Sequence, residues 1–216
     1  METQTVEHLV AQRELLANTI RGFYQRGWCL GTGGNFSAVA ATDPLELLIT
    51  PSGVHKGDLT PEQLLLIDNQ ANVLAGDGKP SAETGIHLTL LEHFGPETVG
   101  SILHTHSPLC TALSEAHVSG VAFEGYEMLK GLEGVKTHNH REWTPILENS
   151  QDIPALCRDA QKMLRANPGI HGFLLRGHGL YTWGRDILEA RRHVEIFEFL
   201  FEVMYHRRVF RNLTHT

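Results

Sequence analysis

The sequence is poor in cysteine and has no long apolar run. Its three cysteines, Cys29, Cys110 and Cys157, are an odd and dispersed set, unlike a disulfide framework or a cysteine-rich metal knuckle. We interpret all three as reduced. No apolar stretch approaches the roughly 20 residues of a membrane-spanning helix, and the polar start at residues 1–4 is not that of a signal peptide. We therefore expect a cytoplasmic protein with no membrane partner.

Basic residues are also in the minority. There are 18 Lys and Arg against 25 Asp and Glu, giving a formal net charge of −7 with no basic run, which argues against a nucleic-acid partner. The sequence lacks a Ser/Pro-rich linker, internal repeats, and the GxxxxGK[ST] and GxGxxG fingerprints of nucleotide-binding loops. With 41% hydrophobic residues, we expect a single domain over residues 1–216 with a substantial core.

Histidine, in contrast, is abundant, and two histidines stand out among the 14. His104 and His106 follow the apolar, β-branched run 99–103, which predicts a buried strand. Alternate residues of a strand share a face, so both imidazoles point the same way and Thr105 points opposite. The following Ser107-Pro108 predicts a helix N-cap and first turn. The pair therefore lies at the end of a strand.

A third histidine has a similar setting. His178 lies between two predicted strands, residues 172–176 and 180–183, with Gly177 and Gly179 on either side, so the backbone can approach its neighbours closely. Three neutral imidazoles with an open fourth position are typical of a catalytic divalent site, most often zinc, although iron and manganese accept the same ligands.

Two loops rich in small residues, 31–37 and 50–53, offer backbone N–H groups and hydroxyls, and Lys56 lies nearby. They favour an anion site, although plain turns account for them equally well.

Two acidic residues are similarly open to two interpretations. Glu83 lies in the first turn of a predicted helix, where a carboxylate ordinarily complements the helix dipole. Glu127 lies with Lys130 in a partly helical segment that a surface salt bridge would explain.

Predicted helices interspersed with short strands indicate an α/β protein whose sheet is covered by helices on both sides. The last helix, which follows Asp186, has an unusually wide apolar stripe. We expect it to pack against both the sheet and a neighbouring subunit.

Five segments together resemble the class II aldolase/adducin family over nearly the whole chain, in order and rough spacing. They are Gly33–Ser37, Thr50–Gly53, Pro80–Glu83, His104–His106 and Arg176–Gly179. The resemblance implies a three-layer α/β/α sandwich around a largely antiparallel central sheet, and a homotetramer with active sites between subunits. It further implies a sugar-phosphate substrate and one zinc ion per subunit. The implied zinc ligands are His104, His106 and His178, and the implied phosphate- and substrate-binding residues are Asn35, Ser52, Gly53 and Ser81.

Two features of the sequence narrow its place within that family. Ala82 stands where the family's aldolases often carry a second serine, so their phosphate contacts do not transfer unchanged. The segments Glu127–Gly131 and Gly177–Gly184 look most like those of the family's dehydratases, which remove water from a methylthio-substituted ketose phosphate in methionine salvage.

The resemblance implies Glu127 as the acid/base, whereas Glu83 matches the catalytic glutamate of the aldolases. A sugar-phosphate aldolase of the fuculose-phosphate type is the first alternative. A non-catalytic adducin-like module is the second.

Overall fold

The computed structural model describes residues 2–214, without the side chains of residues 2–6, 212 and 214, so the ends of the predicted 1–216 domain lie outside it. The α-helices are α1 (Glu2–Gln25), α2 (Thr84–Phe94), α3 (Pro108–Ala116), α4 (Ile153–Ala166) and α5 (Ile187–Thr214). The strands are β1 (Asn35–Thr42), β2 (Leu45–Ile49), β3 (Leu65–Asp68), β4 (Val73–Ala75), β5 (Ser101–Thr105), β6 (Gly120–Glu124), β7 (Arg141–Leu147), β8 (Gly172–Leu175) and β9 (Gly179–Gly184). Short 3₁₀ turns lie at Pro61–Gln63 and Glu127–Gly131.

The strands form one sheet in the order β4-β3-β2-β1-β5-β9-β8-β7-β6. Every neighbouring pair is antiparallel except β7 and β8, which run parallel. The largely antiparallel sheet is thus confirmed. β5, which carries His104, lies in its middle, between β1 and β9.

Helices cover both faces of this sheet, which confirms the three-layer arrangement. Because side chains alternate along a strand, Ile102 packs in a core with residues of α2 and α4, whereas Leu103 packs with residues of α1 and α5. α3 adds a third cluster on the α5 side, which also buries the 127–131 turn through Leu129. No helix among residues 2–214 is both long enough and apolar enough to span a bilayer.

Strands β6 and β7 were not predicted from the sequence. β6 lies at the sheet edge and alternates between buried and partly exposed positions. β7 carries polar residues in its interior, because Glu142 and Thr144 are buried. The apolar runs in these two strands are at most three residues long, as at Val121–Phe123 of β6, so the signal used for the other strands is weak in both.

The buried Glu142 is the centre of a charged cluster between β7 and β8. Its carboxylate accepts hydrogen bonds from Nε2 of His140 at 2.9 Å and from Nδ1 and the backbone N–H of His171, each at 3.0 Å. Nε2 of His171 donates to the carbonyl oxygen of Glu133 at 2.8 Å. Both ring nitrogens of His171 therefore donate, which requires the protonated ring.

This pair predicts a pH dependence of stability. Burial alone would raise the pKa of Glu142, but the hydrogen bonds and charge of His171 hold it below its usual 4.5. Burial alone would lower the pKa of His171, but Glu142 raises it above 6.5. The contribution of Glu142 is lost as the pH falls through its depressed pKa, and that of His171 as the pH rises through its raised pKa. Between about pH 4.5 and 6.5 both are fully present.

We therefore expect Glu142→Gln to lower the free energy of unfolding by about 3–5 kcal/mol near pH 5.5, because it leaves a buried imidazolium without its counterion. The loss should shrink as His171 deprotonates at alkaline pH. Urea unfolding at fixed protein concentration measures both effects. Glu148→Gln, at an exposed carboxylate just beyond β7, is the control. A loss that stays constant from pH 5 to 9 would contradict the assignment.

Candidate active site

The antiparallel pairing of β5 with β9 brings the three histidines together. His104 lies opposite Tyr181 and Thr105 opposite Leu180, so His178, just before β9, lies beside the end of β5. Nε2 of His104 is 2.8 Å from Nε2 of His106 and 3.4 Å from Nε2 of His178. With a Glu83 oxygen, the three imidazoles offer four ligand atoms that all lie within 4.8 Å of one another.

Gly179 permits this approach. A Cβ atom built on Gly179 would lie 2.1 Å from the carbonyl oxygen of Thr105 and 2.9 Å from Cε1 of His104. Every L-residue other than glycine would therefore push β9 away from β5 and open the cluster. The prediction that glycine beside His178 allows close backbone approach is confirmed.

The donor set fits a divalent metal ion. Nδ1 of His104 lies 2.9 Å from the carbonyl oxygen of Leu180 and must donate to it, so Nε2 of the neutral ring carries a lone pair facing the cluster. Nitrogens bound to one zinc ion at roughly 2.0–2.1 Å lie about 3.3 Å apart in a tetrahedron. The separations of 2.8 and 3.4 Å bracket that value.

His104 and His106 are also held neutral, as metal ligands must be. Burial, reinforced by His106 and His178, holds the pKa of His104 well below 6.5. Burial and the proximity of His178 lower the pKa of His106 to about 4. Nδ1 of His178 is buried without a hydrogen-bond partner among the residues that the structure describes.

Glu83 precedes α2 and has its two carboxylate oxygens in different settings. Oε2 accepts hydrogen bonds from Nδ2 of Asn35 at 2.7 Å and from the Tyr181 hydroxyl at 3.0 Å, and lies 3.4 Å from Nε2 of His104. Oε1 lies 3.6 Å from Nδ1 of His178. Burial and the nearby Glu83 charge raise the pKa of Tyr181 well above its ordinary value, so its phenol remains a donor.

His106 and His178 open into a groove of about 350 Å³. All four residues predicted to bind phosphate or substrate line it: Asn35, Ser52, Gly53 and Ser81. The backbone N–H of Ser52 donates to the carbonyl oxygen of Lys79 at 2.8 Å, and Pro51 pairs with Pro80. Two loops far apart in sequence therefore form one wall of the groove.

Lys56, although not among the predicted site residues, also lines the groove and is only 1% exposed. Its Nζ donates to the carbonyl oxygens of Thr32 and Val54, each at 3.0 Å. It thereby ties the glycine-rich loop to the loop that follows Ser52. Its third N–H has no acceptor in the described part of the chain.

Glu127 is not brought to the histidines of its own chain. It begins the 3₁₀ turn after β6, which packs against α5 on the face opposite α2. Its side chain is 70% exposed and pairs with Lys130 and His138. Its pKa is lowered, first by the hydrogen bond from Lys130. Glu127 is not among the residues that line the groove.

Sequence reasoning missed His87 and the role of Tyr181. His87 is completely buried, and its Nε2 is 2.5 Å from Oδ1 of Asn35. One signal was available, because His87 lies four residues after Glu83 and so shares its helix face. Tyr181 stacks on His104 with ring centroids 3.9 Å apart, a contact that depends on the β5–β9 register.

Comparison with known proteins agrees with this geometry. Residues 14–205 match the model of the class II aldolase and adducin N-terminal domain. Methylthioribulose-1-phosphate dehydratase of Pectobacterium atrosepticum is 46% identical over 186 residues, covering 86% of this chain and 89% of that protein. The enzyme of the same name from Serratia proteamaculans is 43% identical over 199 residues, covering 92% and 96%.

A solved structure shows the same fold. L-fuculose-1-phosphate aldolase from Thermus thermophilus aligns with a TM-score of 0.71 at 22% identity, covering 98% of this chain and 99% of the other. The family model covers most of the sequence, and the relatives match over nearly their whole length. The chain therefore belongs to the class II aldolase and adducin family.

Proposed function

We propose that this protein is a zinc-dependent dehydratase that converts 5-methylthioribulose 1-phosphate to 5-methylthio-2,3-dioxopentyl phosphate and water in methionine salvage. The observation that carries the proposal is the 46% identity to a dehydratase of that name over 86% of the chain. The convergent cluster of His104, His106, His178 and Glu83 supports it. A non-catalytic adducin-like module need not retain all three histidines, whereas this chain has them all.

In this proposal the three histidines hold one zinc ion per subunit. A bound zinc ion would supply Lewis-acid polarisation of the C2 carbonyl and C3 hydroxyl oxygens of the substrate. The loops at Ser52, Gly53 and Ser81 bind the phosphate at the other end of the groove. The phosphate role of Asn35 remains a prediction, and since one of its amide N–H groups is used on Glu83, the other would have to serve it.

Dehydration removes the C3 proton and the C4 hydroxyl, and the resulting enol becomes the 2,3-diketone by proton transfer to carbon. In this proposal a carboxylate accepts the C3 proton and then, as the carboxylic acid, gives a proton to the departing C4 hydroxyl, a role worth about 10²–10⁴-fold in rate. We assign it to Glu127. Glu83 lies against the metal site, where Oε1 is not engaged by Asn35 or Tyr181.

Because Glu127 lies on the far face of its own chain, it serves a groove only if a second subunit supplies it. We propose a homotetramer with composite active sites. The apolar stripe of α5 supports this, because Leu188 and Phe199 are 56% and 42% exposed. We also propose one domain over residues 1–216 and a cytoplasmic location, which the three free cysteines support.

Lys56→Met tests the phosphate end of the groove. Losing a charge-assisted hydrogen bond should weaken binding of inorganic phosphate, measured as a competitive inhibitor, by about 10- to 100-fold. KM for the substrate should rise similarly, with a smaller change in kcat. Lys79→Met, at an exposed lysine in the adjoining loop, is the matched control. Unchanged phosphate inhibition in Lys56→Met would place the phosphate elsewhere.

A class II sugar-phosphate aldolase is the alternative, and the fold shared with an L-fuculose-1-phosphate aldolase favours it. Both reactions begin by loosening bonds at C3 of a ketose phosphate, so the metal cluster does not distinguish them. Incubation of zinc-loaded protein with 5-methylthioribulose 1-phosphate, followed by mass spectrometry, does. Loss of one water with five backbone carbons retained supports the dehydratase. A three-carbon ketose phosphate would instead identify an aldolase, and an unchanged substrate would exclude both activities on this compound.

A further inference from the structure

A chain of polar side chains runs from the middle of the sheet to the Glu83 carboxylate. The Ser37 hydroxyl lies 2.7 Å from Nδ1 of His87. Nε2 of His87 lies 2.5 Å from Oδ1 of Asn35, and Nδ2 of Asn35 donates to Oε2 of Glu83 at 2.7 Å. Ser37 and His87 are fully buried and Asn35 is 4% exposed.

The direction of every hydrogen bond in this chain is fixed. Asn35 donates to Glu83 through its NH₂ group, so its carbonyl oxygen faces His87 and must accept. Nε2 of His87 therefore carries the proton. Nδ1 of the neutral ring can then only accept, and the Ser37 hydroxyl donates to it. Burial lowers the pKa of His87 to about 3, which keeps the ring neutral.

Two local geometries create the chain. Asn35 and Ser37 are alternate residues of β1 and share a face. Glu83 immediately precedes α2, and His87 lies four residues later in the first turn of that helix, so the two side chains also share a face. β1 and α2 pack with these two faces together, so the four side chains alternate as serine, histidine, asparagine and glutamate.

We infer that Ser37, His87 and Asn35 are positioning residues, which orient the Glu83 carboxylate against the metal cluster through a one-directional hydrogen-bond chain. Asn35 and Tyr181 both donate to Oε2, which holds one edge of the carboxylate. Oε1 is thereby turned toward His178. This inference deepens the proposed function, because it concerns how Glu83 is presented to the same site.

The test uses metal affinity, which requires no substrate. His87→Leu removes both ring nitrogens, whereas His87→Gln retains an amide N–H for Asn35. Zn²⁺ affinity from chelator competition, and the visible absorption of the Co²⁺-loaded protein, are compared in both variants. Partners behind a metal site typically contribute 10- to 100-fold in affinity. We expect a loss of about that size in His87→Leu and rescue to within a few-fold of wild type in His87→Gln.

A double-mutant cycle shows whether His87 acts through Glu83. In the Glu83→Gln background, His87→Leu should cause little further loss of Zn²⁺ affinity, because the hydrogen-bond chain that includes His87 then no longer ends on a carboxylate. An equal loss in both backgrounds, or unchanged affinity in His87→Leu, would overturn the inference. If His87→Leu does not fold, Ser37→Ala replaces it in the cycle. We then expect a smaller loss of Zn²⁺ affinity, because Ser37→Ala removes the donor to Nδ1 of His87 but leaves the imidazole ring in place.

These measurements are independent of the proposed activity. Non-additive loss of metal affinity without dehydration of 5-methylthioribulose 1-phosphate would refute the proposed function but support the hydrogen-bond chain that positions Glu83. Dehydration together with additive effects on metal affinity would support the proposed function but refute the role of the hydrogen-bond chain.

Discussion

His178→Ala should abolish turnover and strip the bound metal. Two histidine ligands then remain, and the loss of the Lewis acid removes several kcal/mol of transition-state stabilisation. We expect a decrease in kcat of at least about 10³-fold. Metal content, measured by atomic absorption after dialysis against a weak chelator, should fall well below one ion per subunit.

The control for His178→Ala is His8→Ala, at an exposed histidine of α1, which should retain both metal and turnover. Unfolding temperature distinguishes loss of metal from loss of fold, because apo wild-type protein should unfold at a temperature close to that of the variant. A metal-free His178→Ala protein with full activity would refute the metal site.

Glu127→Gln should lower kcat by about 10²–10⁴-fold, the usual contribution of a general acid, and leave metal content unchanged. The exposed side chain of Glu127 makes few contacts in its own chain, so unfolding temperature should hardly change. Glu124→Gln, at an exposed residue of β6, is the matched control and should be fully active. Unchanged turnover in Glu127→Gln would transfer the acid/base role to Glu83 or to another residue.

The position of Glu127 gives this prediction a second measurement. If one subunit supplies the histidines and its neighbour supplies Glu127, the inactive Glu127→Gln and His178→Ala proteins should complement each other. Refolding them together creates sites that combine intact histidines with an intact Glu127, so activity should reappear. Two inactive proteins that stay inactive when mixed would show that Glu127 does not act across the interface.

Much of the fold follows from local patterns. The strand that leads into His104, the N-cap at Ser107 and the helix after Asp186 were all predicted, because alternation, capping and helical spacing are properties of neighbouring residues. Ser107 does accept a hydrogen bond from the N–H of Cys110 at 3.1 Å. Strands β6 and β7 escaped prediction because their apolar runs are short and the buried positions of β7 include the polar residues Glu142 and Thr144.

For the site, the sequence by itself determined which side chains are available and which lie on a common face. His104 and His106 share a strand face, and Glu83 and His87 share a helix face, because backbone geometry fixes both periodicities. Only the tertiary structure decided which faces meet. The β5–β9 register places His178 and Tyr181 beside His104, and the packing of β1 on α2 places Asn35 beside Glu83. Glu127 lies on the opposite face of the sheet. These contacts join residues 48 to 98 positions apart, and no local pattern encodes such a distance.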